Sequence, residues 1–253
     1  MRKWHFVLAA AVFAFVASAQ AAGVPKYISD AVADKARPEK DTARDANRKP
    51  AETIQFAGVK PGMVVAELVP GGGYYTRILA KVVGPKGHVY ALTANEVLKP
   101  IPKAADAANA IAKDLAYGNV SSIIEPADVL KVPERVDVVW TTQNYHDLKI
   151  EKYFGKPDMA TLNRSIYRAL KPGGIYFVLD HSAQAGSGER DTEKLHRIDE
   201  EMVKKEVLAA GFKLEAESDA LRDPSDKRDV NIFEASIRGK TDQFMLRFRK
   251  PRK

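Results

Sequence analysis

The chain has no cysteine among its 253 residues. That excludes disulfides, thiolate metal sites, a cysteine nucleophile and a lipidated N-terminal cysteine. Long apolar runs are almost missing too: the one near the start, residues 6–17, is short for a membrane span, and no second stretch reaches spanning length. No internal repeat, low-complexity tract or nucleic-acid motif is visible. The basic excess, 40 Lys and Arg against 33 Asp and Glu, is moderate, and much of it sits in the last seven residues, read as a solvated chain end. No nucleic-acid partner is therefore expected.

What is present divides in three. Arg2 and Lys3, the apolar run and Ala17-Ser18-Ala19 have the layout of a secretory signal peptide cut between Ala19 and Ala22. Residues 1–22 are therefore expected to be removed, and the protein to be exported, in a periplasmic setting, with no transmembrane span left. Residues 23–49 are polar and charged and read as a leader or surface helix. Residues 50–250 alternate β-branched runs with helical patterns. Strands are expected near 63–69, 88–93, 119–124, 136–141 and 175–180, and two more near 212–217 and 244–249. Helices are expected near 50–57, 74–82, 102–116, 158–170 and 193–210. This alternation means an α/β, doubly wound, mostly parallel sheet between two helical layers. The last two strands lack an intervening helix and are expected to be antiparallel. The stretch 219–243 that joins them is longer than a hairpin needs, which points to function.

The most informative residues are Glu67-Leu68-Val69-Pro70-Gly71-Gly72-Gly73-Tyr74. An apolar strand ends in an acid, three glycines follow, then a helix begins. Glycine permits a sharp turn and close ligand approach, and the helix start offers unpaired N–H groups, so the segment suits a nucleotide-like ligand.

With Gly84-Pro85-Lys86-Gly87 before the second strand and Leu170-Lys171-Pro172-Gly173-Gly174 before the fifth, this segment resembles the class I S-adenosylmethionine-dependent methyltransferases over roughly residues 50–250. Asn144-Tyr145-His146, Leu195-His196-Arg197-Ile198-Asp199 and Ile237-Arg238-Gly239-Lys240-Thr241 further resemble a group of exported bacterial predicted methyltransferases. The resemblance implies a seven-stranded Rossmann-like sheet with its last strand antiparallel. It also implies S-adenosylmethionine as cofactor over the ends of the first two strands, and a small-molecule acceptor. Cofactor contacts are implied at Glu67, Val69, Gly71, Gly72, Gly73, Tyr74, Thr93, Glu96 and Asp128. Two positions depart from the family pattern: Val69 replaces its first glycine, and Thr93 stands where it grips the ribose with an acid, leaving Glu96 as a substitute.

Catalytic candidates follow the fourth and fifth strands: Asn144, His146 and His181, either histidine being able to take a proton from an acceptor. His196 and Arg197 are read as the solvated opening of the 193–210 helix. His146, Asp147, Asp180 and His181 match no familiar ligand spacing, so no metal is assigned. Acceptor contacts are expected from 182–192 and 219–243. Two other functions fit parts of the pattern. A catalytically degenerate exported binding protein would explain the two departures. A nicotinamide-dependent oxidoreductase is half-matched by Gly71-x-Gly73-x-x-Thr76, with Thr where the dinucleotide fingerprint wants Gly or Ala.

Overall fold

The computed structural model describes residues 23–252, so the expected signal segment lies outside the described residues. Five strands rich in β-branched and aromatic residues form the parallel centre of one sheet: β1 (Val64–Leu68), β2 (His88–Ala94), β3 (Val120–Glu125), β4 (Val136–Thr142) and β5 (Leu170–His181). Then come β6 (Lys213–Ser218) and β7 (Gln243–Arg249), giving the order β3-β2-β1-β4-β5-β7-β6. Only β7 runs against its neighbours, pairing antiparallel with β5 from Ile175↔Arg249 to His181↔Gln243 and with β6 on its other side. This is the expected Rossmann-like methyltransferase topology. The strand order reverses between β1 and β4, which opens a crevice at their C-terminal ends.

Each face of the sheet is buried by its own helices. On one, α8 (Met159–Ala169) and α10 (Glu200–Ala209) set Leu162, Ile166, Val203 and Val207 against Val139, Tyr176 and Val178. On the other, α4 (Pro50–Ala57), α5 (Tyr74–Val83) and α6 (Asp106–Lys113) set Ile54, Ile78, Leu79 and Ile111 against Val65, Val89, Val138 and Trp140. Residues 23–49, read as a leader or surface helix, form the short helices α1 (Lys26–Val32), α2 (Glu39–Thr42) and α3 (Asp45–Arg48). They join that second core: Ile28 is fully buried and Ala31 nearly so. The remaining short helices are α7 (Glu151–Phe154) and α9 (Thr192–Leu195).

Three elements differ from the sequence reading, the first being β5, which starts at Leu170 rather than near 175 because Leu170 pairs with Val136 across a bulge. The helix expected over 102–116 shrinks to α6, because the residues before and after it turn away. The single helix expected over 193–210 is broken into α9 and α10. His196 caps α9 in the left-handed conformation (φ +54°), and Ile198 forms an isolated bridge with Ser182, just past the end of β5. Asp199 then caps α10, accepting from Glu201 N at 3.1 Å. Arg197, expected on a solvated face, is fully buried, with its guanidinium on Asp226 at 2.7 Å and on the carbonyls of Ser182 and Val230 at 3.0 Å. A buried ion pair fixed from three directions outweighs the helical periodicity of the sequence.

Candidate functional site

The glycine loop turns the chain off the end of β1. Val69 stands there at φ +50°, a region that β-branched residues avoid. It is held by its own N–H, which donates to Leu92 O at 2.9 Å, and by Asn144, whose Nδ2 donates to the carbonyls of Leu68 and Val69 at 3.1 Å. The backbone thus holds at Val69 a left-handed turn of the kind glycine ordinarily makes. Gly71, also at positive φ, and Gly72 have open space where a Cβ would stand. Both line a cavity of about 650 Å³ with Val69, Pro70, Thr93, Phe154, His196 and Phe233 among its walls. Thr93 Oγ1 is buried there with no partner among the described residues. An orphaned hydroxyl at the end of β2, where the resemblance implies the ribose, and a glycine cradle fit a nucleoside ligand such as S-adenosylmethionine.

The other expected cofactor residues separate. Glu67 is buried beneath α5 and accepts from Thr76 Oγ1 at 2.6 Å; burial pushes its carboxyl up to about 7, against Thr76 and Arg77, which lower it. Thr76, at the third position of the dinucleotide fingerprint, is thereby committed to Glu67. Gly73 begins α5 at φ +77°, where a Cβ would stand 2.2 Å from Ile111 Cδ1, so it serves helix packing. Tyr74 turns to the N-terminal helices, donating to Asp45 Oδ1 at 2.6 Å, with the guanidinium of Arg48 4.6 Å from its ring centre. Glu96 accepts from Ala127 N at 3.0 Å and does not line the cavity. Asp128 lies half-buried in the turn after β3, also outside the cavity lining.

The histidines gather at the ends of β4 and β5. His146 Nδ1 lies 2.7 Å from Asp180 Oδ1, while His146 N donates to Asp180 Oδ2 at 2.8 Å; Asp180 is fully buried. Burial alone would depress His146, but Asp180 and Asp147 outweigh it and hold the imidazole up at about 10. Its Nε2 faces His196 Nδ1 at 3.3 Å and Asp147 Oδ1 at 3.1 Å. His146, Asp147 and His196 are a candidate set of metal ligands, which differs from the four residues weighed in the sequence. His181 stands apart, Nδ1 2.7 Å from Thr241 Oγ1, and is pushed well down by burial, His146, Arg197 and Arg48. It is a neutral imidazole. Asn144 touches the loop backbone rather than a cavity and positions the glycine turn.

A second cavity, of about 370 Å³, is lined by Arg44, Arg48, His181, Phe233, Arg238 and Gln243 among others. Phe233 belongs to both cavities, so the two are neighbours. Arg48 bonds Gln143 Oε1 and packs on Tyr74 and Tyr75, and burial lowers its guanidinium. Other arginines have carboxylates: Arg37 with Asp45, Arg197 with Asp226, Arg228 with Asp242. Among the described residues no carboxylate pairs with Arg44, Arg48 or Arg238. Sequence reasoning passed over Arg48 and Phe233, which sit in segments with no motif. It set His196 aside because unbroken helical periodicity placed it on a solvated face.

Residues 66–178 match a family model described as a methyltransferase domain. The chain is 31% identical over 132 residues to the ubiquinone/menaquinone biosynthesis C-methyltransferase UbiE of Hydrogenovibrio crunogenus, covering 51% of this chain and 46% of that protein. It thus spans about half the length of the curated relatives it matches. In fold it is similar to a SAM dependent methyltransferase from Aquifex aeolicus (TM-score 0.60, 19% identity, 84% of this chain and 95% of the other). It is also similar to Aeropyrum pernix fibrillarin, solved with natively bound S-adenosyl-L-methionine (TM-score 0.51, 15% identity, 81% and 76% covered).

Proposed function

We propose that this chain, which carries a class I S-adenosylmethionine-dependent methyltransferase domain over residues 66–178, methylates a small acceptor bearing a negative charge. The observation that carries the reading is the cavity at the ends of β1 and β2, with its open glycine cradle and the unpartnered Thr93 hydroxyl. The cofactor, when bound, supplies an electrophilic methyl on a sulfonium. The residues that would hold it are Val69 to Gly72 and Thr93. Asn144 keeps that loop in shape, and buried Glu67 places an acid behind it. Phe233, shared by the two cavities, stands as a wall between them.

The cationic cavity supports the acceptor class. A half-buried arginine without a carboxylate gains most when an anion completes it. Arg48, with Arg44 and Arg238 at the rim, suits a carboxylate or phosphate bidentately. His181, neutral and lining the same cavity, is placed to accept a proton from an acceptor hydroxyl or amine.

Calorimetric titration of the purified protein with S-adenosylmethionine and its demethylated product tests the first half. Micromolar binding that Gly71→Val abolishes is expected; no binding at millimolar ligand would return the chain to the binding-protein reading. A turnover screen with acceptor pairs that differ by one carboxylate tests the second. The anionic member should be preferred at least tenfold, and Arg238→Ala should erase that preference by raising KM; preference for the neutral member would overturn it. Export is proposed as well, on Arg2, Lys3, the apolar run and Ala17-Ser18-Ala19. N-terminal sequencing of protein from a periplasmic fraction should begin between Gln20 and Gly23, and recovery of intact Met1 would exclude it.

A further inference from the structure

We propose that His146, Asp147 and His196 form a binding site for a divalent transition-metal ion on the wall of the larger cavity. Three donor atoms, His146 Nε2, His196 Nδ1 and Asp147 Oδ1, make a triangle with edges of 3.1, 3.1 and 3.3 Å. Ligands about 2.0–2.1 Å from one tetrahedral ion stand roughly 3.3 Å apart. Hydrogen bonds alone satisfy such a triangle poorly. If both nitrogens donate to Asp147, their N–H groups confront each other at 3.3 Å; if one nitrogen accepts, it gives up Asp147. A cation bound just above the triangle would take all three donors at once, displacing the proton that His146 Nε2 otherwise holds.

The surroundings are those a metal-binding histidine requires. His146 Nδ1 faces the fully buried Asp180 at 2.7 Å, an arrangement that fixes the ring and aims Nε2 at the triangle. His196 is set from its own neighbours: its φ of +54° comes from capping α9, and Arg197 beside it is locked to Asp226. Phe233 stands against the His196 ring, with centroids 4.9 Å apart. Asp147 and His196 both line the cavity that holds the glycine loop, so the open positions of the ion face that space. Two imidazoles and one carboxylate suit Zn²⁺, Co²⁺ or Ni²⁺ better than Mg²⁺ or Ca²⁺. A bound ion there would hold an oxygen or nitrogen of the acceptor and lower its pKa.

The site is read without the methyl donor, so its failure and that of the methyltransferase reading are separable. Chelator-treated protein titrated with Co²⁺ should develop visible d–d absorption at one equivalent, with micromolar or tighter affinity. His196→Asn, which tolerates the left-handed backbone, should weaken binding at least 100-fold while the far-ultraviolet circular dichroism stays unchanged. Asp180→Asn should weaken it 10- to 100-fold. Absence of one-equivalent absorption at 1 mM Co²⁺ in folded protein, or equal affinity in His196→Asn, would overturn the proposal.

Discussion

At the residue scale, Val69 holds a left-handed backbone that favours glycine, at a strain of about 1–3 kcal/mol that Asn144 and the hydrogen bond to Leu92 O sustain. Asn144→Ala should therefore loosen the loop and weaken cofactor binding by roughly tenfold, measured by calorimetry; unchanged affinity would assign Asn144 to stability alone. Gly71→Val adds strain of about 1–2 kcal/mol at positive φ, but its Cβ stands in open space, so its main cost falls on the ligand. It should remain folded and lose the cofactor. Glu67 makes a pH prediction. Its carboxyl holds its proton up to about 7 in the fold, against 4.5 ordinarily. Below pH 4.5 both folded and unfolded chains carry the proton. As pH rises toward 7 the unfolded chain releases it first, so stability falls, by at most about 3 kcal/mol, and levels off above 7. Glu67→Gln should lose that part of the slope; identical urea midpoints against pH in both proteins would refute the shift.

At the scale of elements, the segment 219–242 does more than join β6 to β7. Through Asp226 it secures Arg197, and through Phe233 it reaches both cavities. Removing one partner of a buried ion pair leaves the other charge uncompensated, at about 3–5 kcal/mol. Asp226→Ala should destabilise the fold by that order in denaturant unfolding and disorder His196. Replacing Arg197 and Asp226 together by Met and Leu should cost far less; equal losses in the single and double variants would mean that the pair's hydrogen bonds to backbone dominate. For the same reason, excising the whole segment tests stability more than acceptor binding, and Phe233→Ala is the sharper change. It should lower turnover more than cofactor affinity, measured as kcat against Kd.

At the scale of the whole molecule, the N-terminal helices belong to the same body as the sheet. Ile28 is buried under α5, Arg37 pairs with Asp45 and Arg77 with Asp41, and α3 with its N-cap supplies Arg48 and Arg44 to the cationic cavity. Ile28→Ala should cost about 2–5 kcal/mol, and a loss below 0.5 kcal/mol in thermal or denaturant unfolding would mean that the segment is only loosely docked. Among the described residues no helix is long and apolar enough to cross a membrane. The strand sequence, the antiparallel last pair and the glycine turn at the end of the first strand were legible before any coordinates, because period-2 and period-3.6 patterns and the glycine turn are local properties written in short stretches of chain. The broken helix at His196, the burial of Arg197 and the role of residues 23–49 were not. Each depends on a partner far along the chain: Asp226 for Arg197, α5 for Ile28, Gln143 for Arg48. The sequence by itself determined the fold and where a nucleoside could lie, since those follow from local pattern and topology. Only the tertiary structure decided which charges meet, because convergence of His146, Asp147 and His196, or of three arginines on one cavity, is a property of distances that no spacing in the chain records.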